Sequence, residues 1–228
     1  MSKIRPILFN TDMVRAILDG RKTVTRRVLK LPNYCPHCMI MHMDFEYDKP
    51  AKDLYCTRCG EPLYKGEMPS HYQPGDILYV RETWFYEMRL HDKVAGEPDL
   101  PSGRYSHRYV YKADSPYYPV GIGVGANGWR PSIHMPKEAA RIWLRVTAVR
   151  AEWLQEMKLK DFLSEGLMVR PEAFNDPENV YLQCRREFIT IWNSTIKKSD
   201  LDRYGWEANP WVWVIEFERC EKPDGGNS

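Results

Sequence analysis

The sequence contains no apolar run that approaches the roughly eighteen residues of a membrane-spanning helix. Its opening residues, MSKIRPILFN, lack the long apolar region of a secretory signal. We therefore expect a cytoplasmic protein that has no membrane partner.

An excess of charge of either sign is also missing. The chain has 33 basic and 31 acidic residues, a formal net charge of +2, which argues against bulk binding to a polyanion. One local positive cleft is still compatible with this balance. Residues 20–30, GRKTVTRRVLK, contain five basic residues and no acidic one. Such a run can be a solvated surface, an anion-binding site or part of a catalytic site.

Two further absences narrow the function classes. The glycines of GIGVGANG at 121–128 do not match the G-x-G-x-x-G pattern in a strand–turn–helix setting, so we exclude a dinucleotide site. No internal repeat is visible, and no pair of histidines favours a ribonuclease. With 228 residues, of which 43% are hydrophobic, the chain has the size of one domain or of one domain with a small insert.

Four of the six cysteines form two C-x-x-C pairs separated by seventeen residues: Cys35, Cys38, Cys56 and Cys59. This spacing is typical of a zinc site, and four thiolates would complete a tetrahedral shell without an open position for water. The sequence therefore predicts a structural zinc ion that holds residues 32–71 together as a ribbon-like insert. Two disulfides are the alternative, which a cytoplasmic location disfavours. His37 or His42 could replace one ligand, and we expect the single cysteines Cys184 and Cys220 to be buried.

Hydrophobic periodicity places strands and helices in alternation along the rest of the chain. The predicted strands are 4–9, the extended segment 22–31, the strand that follows the turn at 74–76, 142–149, and 209–220. The predicted helices start at Asn10 or Thr11, near residue 159, and at Asp176-Pro177. We interpret the Tyr- and Gly-rich region 86–130 as a long, functional or hairpin-ordered loop. The fold class is α+β, in the form of a small mixed β-barrel with flanking helices.

Four segments of the sequence resemble the ASCH domain of the PUA-like superfamily, whose small β-barrels bind RNA or modified bases. They are GRKTVTRR, PGDILYVRE, the helix end SEG and the strand WVWVIEF. The similarity to the long phage and bacterial branch extends over nearly the whole chain outside the insert. It implies a discontinuous PUA-like barrel at 1–31 and 72–222, the zinc-ribbon insert at 32–71 and a flexible tail at 223–228. It also implies that the protein is located in the cytoplasm of a bacterial or phage-infected cell.

The core signature of that family is Gly-x-Lys-x-x-Glu-x-Arg, which here reads Gly20-x-Lys22-x-x-Thr25-x-Arg27. Threonine replaces the common glutamate. The same replacement marks the small bacterial amidohydrolase that removes the acetyl group from acetylated cytidine. The resemblance therefore implies a catalytic set of Lys22, Thr25 and Glu165, acting on an acylated pyrimidine nucleoside or an RNA base.

This assignment is chemically reasonable because a threonine hydroxyl needs a neighbouring base to become a nucleophile. Lys22 can serve as that base if burial or nearby cations such as Arg21 and Arg26 lower its pKa. Glu165 would orient the lysine or carry the proton to the leaving amine. In a regular strand, residues 22 and 25 point to opposite faces, so the assignment also predicts a turn or bulge between them.

Two alternatives use the same cleft. A binding module without turnover would contact phosphate through Lys22, Arg26 and Arg27 and stack an aromatic ring on the base, and a ribonuclease is the third possibility. Further candidate binding residues are Arg21, Arg81, Glu82 and His134. For each of these a structural role is the alternative: a surface salt bridge for Arg81 with Glu82, and a buried, hydrogen-bonded side chain for His134. We expect Tyr79 and Trp84 to pack in the core, and the protein to be a monomer.

Overall fold

A computed structural model describes residues 2–32, 34–40, 45–48, 53–63, 71–90, 105–114, 128–170 and 176–223. Within these ranges the backbone alone is described for residues 87–90 and 105–107. His42, most of the predicted loop at 86–130 and residues 224–228 of the predicted tail lie outside the described residues.

The predicted strands and helices occur in the predicted order, and the described residues add four strands and one short α-helix that the sequence analysis does not predict. The strands are β1 Ile4–Leu8, β2 Val24–Val28, β3 Phe45–Asp48, β4 Asp53–Cys56, β5 Ile77–Arg81, β6 Trp84–Leu90, β7 Tyr105–Tyr111, β8 Trp143–Trp153 and β9 Trp211–Cys220. The α-helices are α1 Thr11–Leu18, α2 Leu159–Ser164, α3 Pro177–Thr195 and α4 Leu201–Tyr204. The α+β class predicted from the sequence is therefore confirmed. None of the helices in the described part combines the length and the apolar character needed to cross a membrane.

Five strands form one mixed sheet in the order β1-β5-β8-β9-β2. The pairing of β1 with β5 is parallel, and that of β2 with β9 is antiparallel. Two antiparallel pairs, β3–β4 and β6–β7, stand as separate two-stranded sheets. Among the described strands no pairing joins β1 to β2, so this sheet does not close into the expected barrel. The strands β6 and β7 pair with each other and do not extend the five-stranded sheet.

The chain divides into two compact units, which we describe separately. The first unit contains Met1–Lys3, Gly20–Asp76 and Arg145–Glu218. Its larger core lies among α2, α3 and the middle of β9. In α3 the buried residues recur every fourth position, as an amphipathic helix requires: Val180, Cys184, Phe188 and Trp192. From β9, Val212 and Val214 contribute to the same core, so the alternation of WVWVIEF is confirmed for these positions.

The second unit contains Ile4–Asp19, Ile77–Leu144 and Arg219–Ser228. Asn10 is the N-cap of α1, and its side-chain oxygen accepts a hydrogen bond from the Met13 amide at 2.8 Å. Trp84 and Trp143 lie in the core of this unit together with Met135. Tyr79 packs against that core, in agreement with the structural role expected for Tyr79 and Trp84.

Candidate functional site

The strand pair β2–β9 in the first unit presents two faces of different character. Residues that pair across two antiparallel strands share a face. Thr25 pairs with Ile215, and Arg27 pairs with Trp213. Arg26 lies between them and therefore projects to the other side of the sheet, towards the core formed with α2 and α3. We call the first side the ligand face and the second the helix face.

On the helix face, Lys22 and Glu165 form an ion pair that is almost completely buried, with 2% and 6% of each residue exposed. The Lys22 Nζ donates to Glu165 Oε2 at 2.5 Å, to the Glu165 carbonyl at 3.0 Å and to the Val24 carbonyl at 2.8 Å. These three acceptors match the three hydrogens of an ammonium group. Glu165 stands directly after α2, where it also forms an isolated antiparallel bridge with Lys22.

Arg26 extends this pair into a larger charged network. It is 3% exposed, and its Nη1 donates to Glu165 Oε1 at 3.2 Å. Its Nη2 lies 3.5 Å from the Asp161 carboxylate and 3.6 Å from that of Glu152. The Arg26 Nε and Nη2 atoms are buried without a hydrogen-bond partner in the described structure. The three surrounding carboxylates therefore balance the positive charge of Arg26, although two of its nitrogen atoms make no hydrogen bond in the described structure.

Two basic side chains near this network have shifted pKa values. Burial lowers the pKa of Lys22, Glu165 opposes this shift, and the positive charges of Arg27 and Arg26 add to it. Burial also lowers the pKa of Arg27, against the raising effects of Tyr72 and Glu165. Arg27 is thus electrostatically linked to both members of the buried pair. The lowered pKa of Lys22 has the direction that its proposed role as a base requires.

The structure brings the predicted catalytic set together only in part. Lys22 and Glu165 are in contact, as predicted. Lys22 lies before the first residue of β2, so it is not constrained by the regular alternation of that strand. Thr25 is 1% exposed and stands on the ligand face, opposite the side on which Arg26 meets Glu165.

On the ligand face a cavity of about 300 Å³ opens beside Arg27. Its lining combines positive charges with aromatic and apolar side chains: Arg27, Val28, Leu29, Lys30, His71, Tyr72, Trp213 and Ile215. The rings of His71 and Tyr72 meet edge to face, with centroids 4.9 Å apart. The alternation of β9 predicted that Trp213 and Ile215 share a face, whereas no sequence signal connected His71 and Tyr72 with Arg27.

The remaining candidate residues occupy other positions. In the first unit, half-buried Arg21 donates through Nη1 to the carbonyl of Gly166, just beyond α2. In the second unit, the Arg81 Nε donates to the Met135 carbonyl at 2.7 Å, and His134 is exposed rather than buried.

Glu82 pairs with Arg141, which is not among the candidate residues of the sequence analysis. It is 1% exposed, and burial raises its pKa. Both of its carboxylate oxygens accept hydrogen bonds from Arg141, at 2.9 and 3.1 Å. The Arg141 guanidinium also lies 4.0 Å from the centroid of the Tyr111 ring. A bidentate pair between Glu82 and Arg141 thus forms within the second unit, in place of the predicted pairing of Glu82 with Arg81.

The four clustered cysteines also lie in the first unit, with all Sγ atoms within 4.8 Å of one another. Cys35 Sγ is 3.8 Å from Cys59 Sγ, and Cys38 Sγ is 4.0 Å from Cys56 Sγ. These separations are about twice the length of a disulfide bond. The cluster could hold a metal ion, as the two C-x-x-C pairs predict.

Each cysteine pair is shaped by a tight turn. The Met39 amide donates to the Cys35 carbonyl, and the Gly60 amide donates to the Cys56 carbonyl, each at 2.9 Å. Gly60 has φ +70°, which glycine adopts without strain. The His37 ring nitrogen Nε2 lies 2.9 Å from the Pro62 carbonyl, so His37 has a partner other than a metal. Cys184 is buried as expected, whereas Cys220 is half-buried.

The sequence matches no family model and no curated protein, and the fold matches no solved structure.

Replacing Lys22 by methionine should destabilise the first unit. The change leaves Glu165 buried with Arg26 as its remaining charged partner, so we expect a loss of about 3 kcal/mol, at the lower end of the range for breaking a buried pair. The measurement is urea unfolding. The matched control is Lys160→Met at an exposed position of α2, which should cost less than about 0.5 kcal/mol. Equal stability of the two variants would contradict a stabilising role for the pair.

Proposed function

We propose that the cavity on the ligand face binds a base and an adjacent phosphate of single-stranded RNA, or the base of a modified nucleoside. The observation that carries this proposal is the composition of one wall, in which Arg27 and Trp213 are direct cross-strand partners. A guanidinium beside an indole offers a charged group for a phosphate and a flat ring for a base.

The size and charge of the cavity support the same proposal. Its volume of about 300 Å³ lies at the lower end of the range for small-ligand sites. Lys30 and His71 at the cavity are exposed, so they can contact a polyanion that continues beyond the enclosed base. A net charge of +2 for the whole chain favours such local recognition over wrapping of a long duplex.

The resemblance to the ASCH domain leads to the same ligand class by a separate route. We propose membership of this PUA-like family, in which the mixed sheet would correspond to an opened barrel. GRKTVTRR and WVWVIEF, two of the segments that carry the resemblance, form β2, its preceding residues and β9. The segments on which the resemblance depends therefore include both strands that line the cavity.

Binding should depend on the two partners in this wall. We expect a labelled single-stranded RNA to bind the wild-type protein with a strong salt dependence. Trp213→Leu should weaken binding by about 1–3 kcal/mol through lost stacking. Arg27→Met should weaken it and reduce the salt slope by about one. Fluorescence anisotropy measures all three.

Arg185→Met provides a matched control for this experiment. Arg185 lies over the Trp206 ring in the helical core, 5.3 Å from its centroid, so its removal should leave RNA affinity unchanged. The binding proposal fails if the wild-type protein does not retain RNA, or if Arg27→Met and Arg185→Met weaken binding equally.

A second candidate function is hydrolysis of an acylated cytidine, favoured by the buried Lys22–Glu165 pair and the lowered pKa of Lys22. The Thr25 Oγ would attack the acyl carbonyl while its proton passes to a neutral Lys22 Nζ. The carbon–nitrogen bond then breaks, and the proton returns to the leaving amine. Water hydrolyses the acyl-threonine and releases the carboxylic acid. This function ranks second because Thr25 stands on the ligand face and Lys22 on the helix face, so the two side chains must first come together. The Nζ must also release one of its three present acceptors.

Turnover of acetylated cytidine tests this second candidate. Lys22→Ala and Thr25→Ala should each abolish the reaction, whereas Thr25→Ser keeps a hydroxyl and should retain part of the rate. Because only the neutral amine accepts a proton, the rate should rise with pH and level off at a pKa below the ordinary 10.5 of lysine. Absence of turnover in a wild-type protein that binds RNA would leave the binding function alone.

We further propose that the metal is zinc and that residues 32–71 form a zinc ribbon. Four sulfur atoms within 4.8 Å of one another suit this ion, which prefers four tetrahedral ligands, and a complete shell would give it a structural role. Zinc would contribute folding energy to a segment whose only described strands are β3 and β4.

Metal content should follow the clustered cysteines and no other thiol. We expect about one zinc ion per chain in the wild-type protein by mass spectrometry of the metal. Cys35→Ser or Cys56→Ser should lower this content, and Cys184→Ser, a change in the helical core, should preserve it. Iron or an empty chain in place of zinc would refute the assignment.

A further inference from the structure

The cysteine ribbon, defined here as residues 34–40, 45–48 and 53–63, does not have a core of its own. Its most deeply buried hydrophobic residues, Cys35, Leu54 and Cys56, are 0–1% exposed. They belong to a hydrophobic cluster that also contains Leu29 and Trp211 from the β2–β9 pair. Two of the predicted metal ligands therefore lie inside the packing that joins the ribbon to the sheet.

This shared cluster continues directly into the wall of the ligand cavity. The Leu29 amide donates to the Trp211 carbonyl at 2.9 Å, which extends the β2–β9 ladder by one step. Because side chains alternate along a strand, the next residues on this face are Arg27 and Trp213. Leu29 itself lines the cavity, and Trp213 packs against the shared cluster.

Aromatic contacts fix the position of Trp211 at this junction. Its ring centroid lies 4.3 Å from that of Trp153 and 6.4 Å from that of Tyr47. Tyr47 belongs to β3 of the ribbon. If the ribbon unfolds, Trp211 loses this partner together with the apolar cover that Leu54 and Cys56 provide.

The ribbon is too small to fold on its own. Its two described strands have four residues each, and a segment of this size does not bury enough apolar surface for independent stability. In such segments the free energy of metal binding is folding free energy. Loss of the metal should therefore remove one side of the shared cluster.

We propose that metal occupancy at Cys35, Cys38, Cys56 and Cys59 controls ligand affinity at the cavity, although no cysteine lines that cavity. The inference rests on the proposed binding function. The coupling is reciprocal, so the ligand must raise metal affinity by the same factor by which the metal raises ligand affinity.

The test measures this reciprocal coupling from both sides, with the whole 228-residue chain. Affinity for a short single-stranded RNA is measured with zinc bound, after chelation and after zinc is restored. Zinc affinity is measured with and without the RNA. We expect chelation to weaken RNA binding by about 5–150-fold, zinc to restore it, and the two measured factors to agree. Equal RNA affinity before and after chelation, or a chain that takes up no metal, would overturn the proposal.

Two variants separate the shared cluster from the metal ligands. Leu54→Ala removes a fully buried side chain of the shared cluster and keeps all four thiols, so it should reduce the coupling factor. Val180→Ala truncates the helical core, which is a different cluster, and should preserve the factor. A Leu54→Ala protein that binds zinc and keeps the full factor would contradict the proposed route.

Hydrogen exchange without ligand distinguishes failure of this inference from failure of the binding function. Chelation should reduce protection of the amides at 211–213 as well as those of the ribbon. If the wild-type protein binds no RNA, the binding function is wrong, and this exchange result still decides the coupling. Loss of protection confined to the ribbon would overturn the coupling even where RNA binds.

Discussion

The buried charge of Glu165 is the constraint on which the first unit depends. A carboxylate removed from water is stable only with compensating charges and hydrogen bonds. Lys22 and Arg26 provide both, from the residues that enter β2 and from β2 itself. The same contacts hold the end of α2 against this strand. Alternation along β2 then determines the other side: once Arg26 faces Glu165, Thr25 and Arg27 project to the ligand face, where Arg27 lines the cavity.

The segment GRKTVTRR therefore contributes to two separate sites, which its sequence motif alone does not distinguish. In GRKTVTRR, Lys22 and Arg26 are committed to a buried network, whereas Arg27 stands at a cavity beside Trp213. The run of five basic residues is therefore neither a solvated surface alone nor a single anion-binding site. Lys22 and Arg26 belong to the helix face and Arg27 to the ligand face, so these charges are divided between the two sides of the sheet.

The sequence predicted those features that depend on local chemistry. The Asn10 cap, the Pro177 helix start, the alternation of β9 and the clustering of two C-x-x-C pairs all follow from short-range rules. It also predicted the contact between Lys22 and Glu165, through resemblance to a family rather than through spacing. The features that it did not predict depend on long-range packing. Arg141 is 59 positions from Glu82, and Tyr72 is separated from Arg27 by the whole cysteine ribbon.

The central claim is the proposal that Trp213 stacks on a nucleic-acid base in the cavity while Arg27 contacts the adjacent phosphate. Photo-crosslinking with a single-stranded RNA that carries 4-thiouridine, followed by mass spectrometry, tests it most directly. The account predicts that cross-linked peptides contain Trp213 or Tyr72, and that Trp213→Leu removes the first of them. Cross-links confined to α3 or to the second unit would show that the ligand binds elsewhere and would contradict the account.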